Sequence, residues 1–160
     1  MEVNGSYLSP YFVTGLVEGE GCFSVSFSYR KKLKLGIETR PSFSISLNRR
    51  DLNLLKKVYE FFKRGSIRFS KSDNNYKYEV RSVSDLIEKI IPHFQKFPLQ
   101  GGKANDFRIF TEICKDVRSN LHRNRKHLPI IIEKAYQMNP SGKRRYEAKD
   151  LLRILDELKV

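Results

Sequence analysis

Residues 13–21 read VTGLVEGEG, and residues 22–27 continue directly as CFSVSF. The first run predicts a short apolar helix that begins near Pro10 after Ser9 as N-cap, because proline is favoured in the first helical turn. The second run alternates apolar and small polar side chains, which is typical of a β-strand. We therefore expect the fold to form around a helix that turns at once into a strand.

Apolar side chains cover most of the circumference of this helix; they are Tyr11, Phe12, Val13, Leu16 and Val17. We expect such a helix to be buried nearly all round. Gly15 and Gly19 lie on one helical face, and each costs about 1 kcal/mol relative to alanine in a helix interior. A second backbone packed against that face would offset this cost.

Two acidic residues, Glu18 and Glu20, fall at the end of the predicted helix. The helix dipole disfavours carboxylates there, and Gly21 is expected to end the helix in the left-handed conformation. A cation held at this pole would explain the acids, and Mg²⁺ is bound by few carboxylates together with water and phosphate oxygens. The alternative is a surface turn with two solvated acids.

Lysine and arginine number 31 against 18 acidic residues in a chain of 160, which gives a net charge of +13. This excess indicates a polyanionic partner, with nucleic acid as the leading candidate. No apolar run approaches the roughly 20 residues of a membrane-spanning helix, and residues 1–9 are too polar for a signal peptide. We expect an intracellular protein of one domain with no membrane partner.

Metal-binding and disulfide frameworks are not indicated by the cysteines and histidines. Cys22 and Cys114 are too few for a disulfide framework, and the three histidines lack zinc-ligand spacing. Both thiols are expected to be reduced and structural.

Alternation and helical spacing divide the next part of the chain into two hairpins, each followed by a helix. The strands are expected at 22–30, 37–48, 66–70 and 76–81, and the helices at 51–63 and 83–94. Further helices are expected at 104–117, at 128–138 and near the C-terminus. The order helix, hairpin, helix, hairpin, helix predicts an α+β fold with an antiparallel sheet covered on one side.

The uncovered face of this sheet is expected to carry serines and basic residues. These are Ser24, Ser26, Ser28, Arg30, Arg40, Ser42, Ser44, Ser46, Arg68, Ser70, Lys77 and Arg81. A two-stranded ribbon fits the DNA major groove, where arginine can reach guanine edges and serine can donate or accept hydrogen bonds. An ordinary solvated sheet face is the alternative. Lys32 and Lys34, in the loop between the first two strands, are expected to meet phosphates.

A second basic run, residues 118–126, contains Arg118, His122, Arg123, Arg125 and Lys126. It carries no pattern suited to reading bases, so we expect phosphate contacts that steepen the salt dependence of binding. A solvated basic surface is the alternative for any one of these residues.

The run at 13–21, placed just before an alternating strand, resembles the motif of the LAGLIDADG homing endonuclease family. It matches as apolar, small, glycine, two apolar, acid, glycine, acid, glycine. The resemblance covers about residues 8–117. It implies one endonuclease domain over residues 1–160, with an αββαββα core whose sheet forms a DNA-binding saddle and a C-terminal helical extension at about 118–160.

Only one copy of the motif occurs, and single-motif members of the family act as homodimers. The resemblance therefore implies two chains related by a two-fold axis, with glycines of the two helices in contact. The implied interface residues are Phe12, Gly15, Leu16, Glu18 and Gly19. Two-fold symmetry also implies a palindromic or near-palindromic double-stranded DNA target.

By motif position Glu20 is the family's metal-binding carboxylate, with Gly19 beside it, and here glutamate replaces the commoner aspartate. The implied reaction is hydrolysis of one phosphodiester per strand with Mg²⁺, in a site that Mn²⁺ or Ca²⁺ can also occupy. Lys103 matches a lysine that holds the scissile phosphate or an attacking water, although an ordinary helix-start lysine is the alternative. Leu47 stands where some members have a polar residue, so Asn48 and Arg50 are the nearest replacements.

Two other functions use the same scaffold. One is a maturase that binds its own intron RNA, and the other is a DNA-binding regulator that does not cut. A regulator would be expected to lose the second acid, whereas Glu20 is present. The sequence leaves open whether the host compartment is a mitochondrion, a chloroplast or a bacterial or archaeal cytoplasm.

Overall fold

The computed structural model describes residues 7–158, so residues 1–6 of the polar N-terminal run lie outside the described part. The helices are α1 Pro10–Glu20, α2 Leu52–Phe62, α3 Val83–Asp85, α4 Ile91–Lys96, α5 Lys103–Arg118, α6 Leu128–Tyr136 and α7 Ala148–Glu157. The strands are β1 Gly21–Tyr29, β2 Ile37–Asn48, β3 Ser66–Ser70 and β4 Asn75–Val80. A π-helical turn, Leu86–Ile90, joins α3 to α4. No helix within residues 7–158 is long and apolar enough to cross a membrane.

The four strands form one sheet in the order β1-β2-β4-β3. β2 and β3 both pair antiparallel with β4, and Glu79 of β4 lies opposite Ser44 on one side and Ser66 on the other. The predicted α+β architecture is therefore confirmed.

The chain packs as two compact units, each built from two separate stretches. The first unit comprises residues up to Cys22 together with Phe43–Ala104, and the second comprises Phe23–Ser42 together with the chain from Asn105 onward. The helices after residue 118 thus belong to the same unit as most of β1, through contacts that sequence periodicity does not reveal.

In the first unit, alternate residues of β2 and β4 pack beneath α2 and α4. Phe43 is fully buried, and its ring centroid lies 6.0 Å from that of Phe62 and 5.7 Å from that of Phe94. Leu47 faces this core, as expected from the alternation. Burying aromatic side chains of this size provides much of the free energy that holds a helix on a sheet.

In the second unit, the segment after α6 hydrogen-bonds to β1. Asn139 Nδ2 donates to the Phe23 carbonyl at 2.7 Å, and an Arg144 amino group donates to the Val25 carbonyl at 2.8 Å. β1 is the first strand in the sheet order, so these bonds satisfy carbonyls of an edge strand. The side chain of Phe23 packs against α5, where its ring centroid lies 5.3 Å from those of both Phe107 and Phe110.

A buried histidine fixes α1 to the α4 segment within the first unit. Thr14 Oγ1 donates its one hydrogen to the Phe97 carbonyl at 2.9 Å, so it accepts the 3.1 Å bond from His93 Nε2. Burial lowers the pKa of His93 to about 4. The imidazole is therefore neutral at pH 7 and carries its proton on Nε2.

We expect this histidine to make the fold acid-sensitive between pH 6.5 and about 4. In the unfolded chain His93 takes up a proton near pH 6.5, whereas the folded chain resists protonation until about pH 4, so falling pH favours unfolding. Urea denaturation should show wild type losing about 2 kcal/mol more than His93→Gln between pH 7 and pH 4.5. Equal losses in the two proteins would contradict this assignment.

Candidate functional site

One face of α1 is buried and the opposite face is open. Val13, Thr14 and Val17 are buried, whereas Tyr11 is 74% and Phe12 is 47% exposed. A Cβ built on Gly15 or Gly19 would meet no atom within 4 Å in the described part of the chain. The expectation of a helix buried nearly all round is therefore wrong for a single chain, because nothing within residues 7–158 packs against these two glycines.

The first acid of the motif, Glu18, binds the turn that precedes α5. Its Oε1 accepts from the backbone N–H groups of Gln100 at 2.7 Å and Gly101 at 3.1 Å. A Cβ on Gly101 would lie 2.6 Å from Glu18 Oε2, so a side chain there would displace this end of the carboxylate. Glu18 thus ties the end of α1 to the start of α5.

Lys103 reaches the C-terminal end of α1. Its Nζ donates to the carbonyls of Val17 at 2.8 Å, Glu18 at 3.0 Å and Gly21 at 2.6 Å. An ammonium group has three N–H donors, and all three are used here on carbonyls at the negative pole of the helix. The cation that the structure places at this pole is therefore a lysine.

Lys103→Ala is expected to lower the free energy of unfolding by about 2 kcal/mol, because three carbonyls at a helix end lose a charged donor. Chemical denaturation of the variant measures this loss. Lys115→Ala, which removes an exposed lysine from the same helix, is the matched control and should change stability by less than about 0.5 kcal/mol. Loss of cleavage without loss of stability would show that capping is not the main role of Lys103.

Gly21 ends α1 in a way that differs from the prediction. Its φ of −83° and ψ of 159° are extended rather than left-handed, because the chain passes directly into β1. Glycine is needed instead for close approach, since an added Cβ would lie 2.5 Å from Val17 Cγ1 and 2.9 Å from the Val17 backbone.

The second acid, Glu20, is exposed at the end of α1. Its carboxylate makes no hydrogen bond or ion pair with any residue in the described range. The backbone around it is nevertheless fixed, because Lys103 binds nearby carbonyls and the Glu18 side chain binds the turn before α5. No group of three or more histidine, cysteine, aspartate or glutamate side chains suited to a metal occurs within residues 7–158. The Glu20 carboxylate, which has no partner within residues 7–158, nevertheless fits Mg²⁺, which keeps water and phosphate oxygens as its other ligands.

The two predicted replacements at the end of β2 make local contacts. Asn48 Oδ1 accepts from the Arg50 backbone N–H at 3.1 Å, which caps the 3₁₀ turn Arg49–Asp51. The Arg50 side chain is largely exposed and lies 3.5 Å from the Asp51 carboxylate. Within residues 7–158 neither side chain hydrogen-bonds to Glu20, so their catalytic roles stay predictions.

In the second unit, the polar face of β1 and β2 carries linked side chains. Ser24 Oγ and Ser42 Oγ are 2.9 Å apart, and Ser26 Oγ lies 3.4 Å from the Arg40 carbonyl. Ser28, on the same face, is half-buried. Glu38 bridges two arginines, with Oε2 3.0 Å from Arg30 Nε and Oε1 2.8 Å from Arg40 Nη2. The hydrogen bonds from Arg40 and then Arg30 hold the pKa of Glu38 below its usual range.

In the first unit, the polar face of β2, β3 and β4 is centred on Glu79. The basic residues Arg68, Lys77 and Arg81 all form ion pairs with this one carboxylate. Ser44 is buried opposite Glu79, Ser46 is half-buried, and Ser70 Oγ lies 3.0 Å from Ser72 Oγ. Glu38 and Glu79 were not among the predicted site residues, although strict alternation along β2 and β4 assigns both to the polar face.

The basic loop and the second basic run have different surroundings. Lys32 and Lys34 are exposed in the turn between β1 and β2, where Gly36 adopts a φ of +67°. Arg125 of the second run instead donates to the carbonyls of Leu155 at 3.1 Å and Leu158 at 2.7 Å, at the end of α7. The guanidinium of this arginine thus caps the end of α7, a role that the sequence did not indicate, and its phosphate contact stays a prediction.

The chain matches known proteins along most of its length. The family model for LAGLIDADG endonucleases matches residues 13–114. A probable intron-encoded endonuclease 3 of Neurospora crassa is 32% identical over 133 residues, which cover 82% of this chain and 25% of that protein. The chain spans between 25% and 29% of the length of the first curated relatives that it matches.

Solved structures of the same kind are similar in fold. The crystal structure of the homing endonuclease I-TnaI has a TM-score of 0.82 and 32% identity, covering 96% of this chain and 100% of that one. The archaeal intron-encoded homing endonuclease I-Vdi141I, complexed with DNA, has a TM-score of 0.85 and 27% identity, covering 93% and 95%. These matches confirm the resemblance drawn from residues 13–21: the chain belongs to the LAGLIDADG endonuclease family.

Proposed function

We propose that this protein is a sequence-specific double-stranded DNA endonuclease that acts as a homodimer and requires a divalent metal ion. The observation that carries the proposal is Glu20, whose exposed carboxylate has no partner within residues 7–158 and stands on a helix end that other residues hold in place. A solvated acid in a surface turn would need no such support. Here Glu18 anchors the turn, and Lys103 binds the carbonyls on both sides of Glu20.

The open face of α1 supports a second copy of the chain as partner. Large exposed apolar groups, Tyr11 and Phe12, precede Gly15 and Gly19 on this face. Glycine without a Cβ contact lets another backbone approach closely, and a two-fold axis between two such helices would place identical surfaces together. It would also bring the two copies of Glu20 near each other, beside one scissile region of the duplex.

The chain's own residues divide the work of the reaction. Glu20, with the exposed backbone of Gly19 beside it, would hold Mg²⁺, and the basic side chains of the strands would bind and orient the duplex. When bound, the ion supplies charge neutralisation at the phosphate and at the leaving oxygen. Lys103 binds the carbonyls on both sides of Glu20 and so would hold the backbone that carries this carboxylate in one conformation.

A binding selection followed by metal addition tests the proposal. The purified chain selects duplexes from a randomised DNA library, and these are then incubated with Mg²⁺ or with EDTA. We expect a near-palindromic sequence to be enriched and both of its strands to be cut only with Mg²⁺. Selective binding of intron RNA with all DNA left intact would instead indicate a maturase, and DNA binding without cutting would indicate a regulator.

A further inference from the structure

A single carboxylate organises three cations on the polar face of the first unit. Glu79 Oε2 lies 3.2 Å from Arg68 Nη2 and 3.2 Å from Arg81 Nε, and Oε1 lies 3.4 Å from Lys77 Nζ. The Glu79 side chain is only 8% exposed, whereas these three cationic side chains are 57%, 48% and 32% exposed. The cations therefore cover the acid and remain open to a partner themselves.

A negative charge at this position repels the phosphates of DNA, so the presence of Glu79 on this face calls for a compensating role. Glutamate can read DNA directly by accepting from the amino group of cytosine, but this requires an accessible oxygen. The oxygens of Glu79 are occupied by its three partners, so direct reading is not its role. The remaining role for Glu79 is to control the orientation of Arg68, Lys77 and Arg81.

Arginine recognises guanine by presenting two N–H groups in one plane, so the orientation of the guanidinium decides whether the contact is specific. A long side chain that is free to rotate binds phosphates equally well but must lose rotamer freedom to read a base. The ion pairs of Arg68 Nη2 and Arg81 Nε with Glu79, each at 3.2 Å, restrict this freedom by holding both guanidinium groups beside one carboxylate. Each guanidinium has five N–H donors, so further donors remain for a base.

The same arrangement occurs independently in the second unit, where Glu38 bridges Arg30 and Arg40 at 3.0 Å and 2.8 Å. Each unit thus has one acid on its polar face, paired with the arginines of that face. The pairs of Glu38 are partly exposed, and such pairs contribute little to stability, so the repeated pattern is better explained by the geometry that it imposes.

We propose that Glu79 and Glu38 are positioning residues for DNA recognition, which fix the arginines of their own unit in orientations that read bases. This inference rests on the proposed function, since it concerns the DNA bound by the same surface. The inference predicts that overall DNA affinity and base discrimination respond differently when either acid is neutralised. Removing the negative charge should leave binding to arbitrary DNA equal or stronger, while discrimination between bases falls.

Glu79→Gln is the primary variant because it keeps the size of the side chain and removes the charge. The randomised library is selected with wild type and with the variant, and base preference is determined at every position. We expect a contiguous group of positions to lose about tenfold or more in preference, the size of one good bidentate contact. Affinity for a scrambled duplex should not fall. Glu38→Gln should affect a different group of positions, because its arginines belong to the other unit.

Glu60→Gln is the matched control, since Glu60 is an exposed acid on α2. It removes the same charge and should leave every base preference unchanged. An unaltered preference profile in both Glu79→Gln and Glu38→Gln would overturn the proposal, as would a uniform loss of affinity for all DNA. Thermal unfolding of each variant identifies a general loss of structure. If only one variant folds, the base-preference profile of that variant tests the proposal. If wild type selects no DNA at all, the proposed function fails rather than this inference.

Discussion

Glu20→Gln is expected to abolish DNA cleavage while leaving DNA binding within a few-fold of wild type. The substitution keeps the shape of the side chain but removes the charge on which the proposed metal binding depends. Metal ions contribute several kcal/mol of transition-state stabilisation in hydrolysis of this kind, so the cleavage rate should fall by at least about a thousandfold. Cutting of the selected duplex under single-turnover conditions measures the rate, and retention of the uncut duplex in EDTA measures binding.

The control for this experiment is again Glu60→Gln, which removes an acid of the same type from a helix outside the site. It should cut at the wild-type rate. If Glu20→Gln also cuts at that rate, the carboxylate is not the metal ligand. If Glu20→Gln loses binding together with cleavage, the carboxylate supports the fold of the acidic turn rather than the reaction.

Gly15→Leu is expected to convert the proposed dimer into a monomer and so to remove cleavage. The position lies one helical turn before the acidic residues, and a Cβ added there meets no atom within 4 Å in the described part of the chain beyond the adjacent helix backbone. The single chain should therefore fold, and replacing a helix-interior glycine should favour the helix by up to about 1 kcal/mol. The same leucine would separate two closely packed backbones and weaken association by at least about a hundredfold.

Sedimentation measures the outcome as a mass near the 18.8 kDa of one chain in place of twice that value. Asn53→Leu adds the same side chain to an exposed position of α2 and should leave the dimer and its activity intact. A Gly15→Leu protein that remains dimeric and active would show that the face of α1 carrying this glycine is not the interface.

The strands and the first helix could be predicted because their signals are local. Alternation from Phe23 to Phe27 and from Phe43 to Leu47 assigns each residue to a sheet face, and the faces follow without knowledge of the partners. The same rule assigns Glu38 and Glu79 to the polar face. The rule cannot predict the low exposure of Glu79, because three cations from separate positions cover it. Arg68 lies on β3, Lys77 lies on β4, and Arg81 directly follows β4.

The support of the acidic turn could not be predicted, since it joins residues that are far apart in sequence. Lys103 lies 86 positions after Val17, and Gln100 lies 82 positions after Glu18. No periodicity links such pairs. The role of Gly21 was also missed, because composition alone cannot distinguish a glycine needed for a left-handed turn from one needed beside a valine side chain.

The proposal of a metal-dependent homodimer is tested most directly by mapping the strand breaks on a selected duplex to single-nucleotide resolution. Two chains with one Glu20 each should make one break in each strand. The two breaks should be related by the two-fold axis of the target sequence and appear only when Mg²⁺ is present. A single break, two breaks without this symmetry, or equal cutting in EDTA would contradict the account.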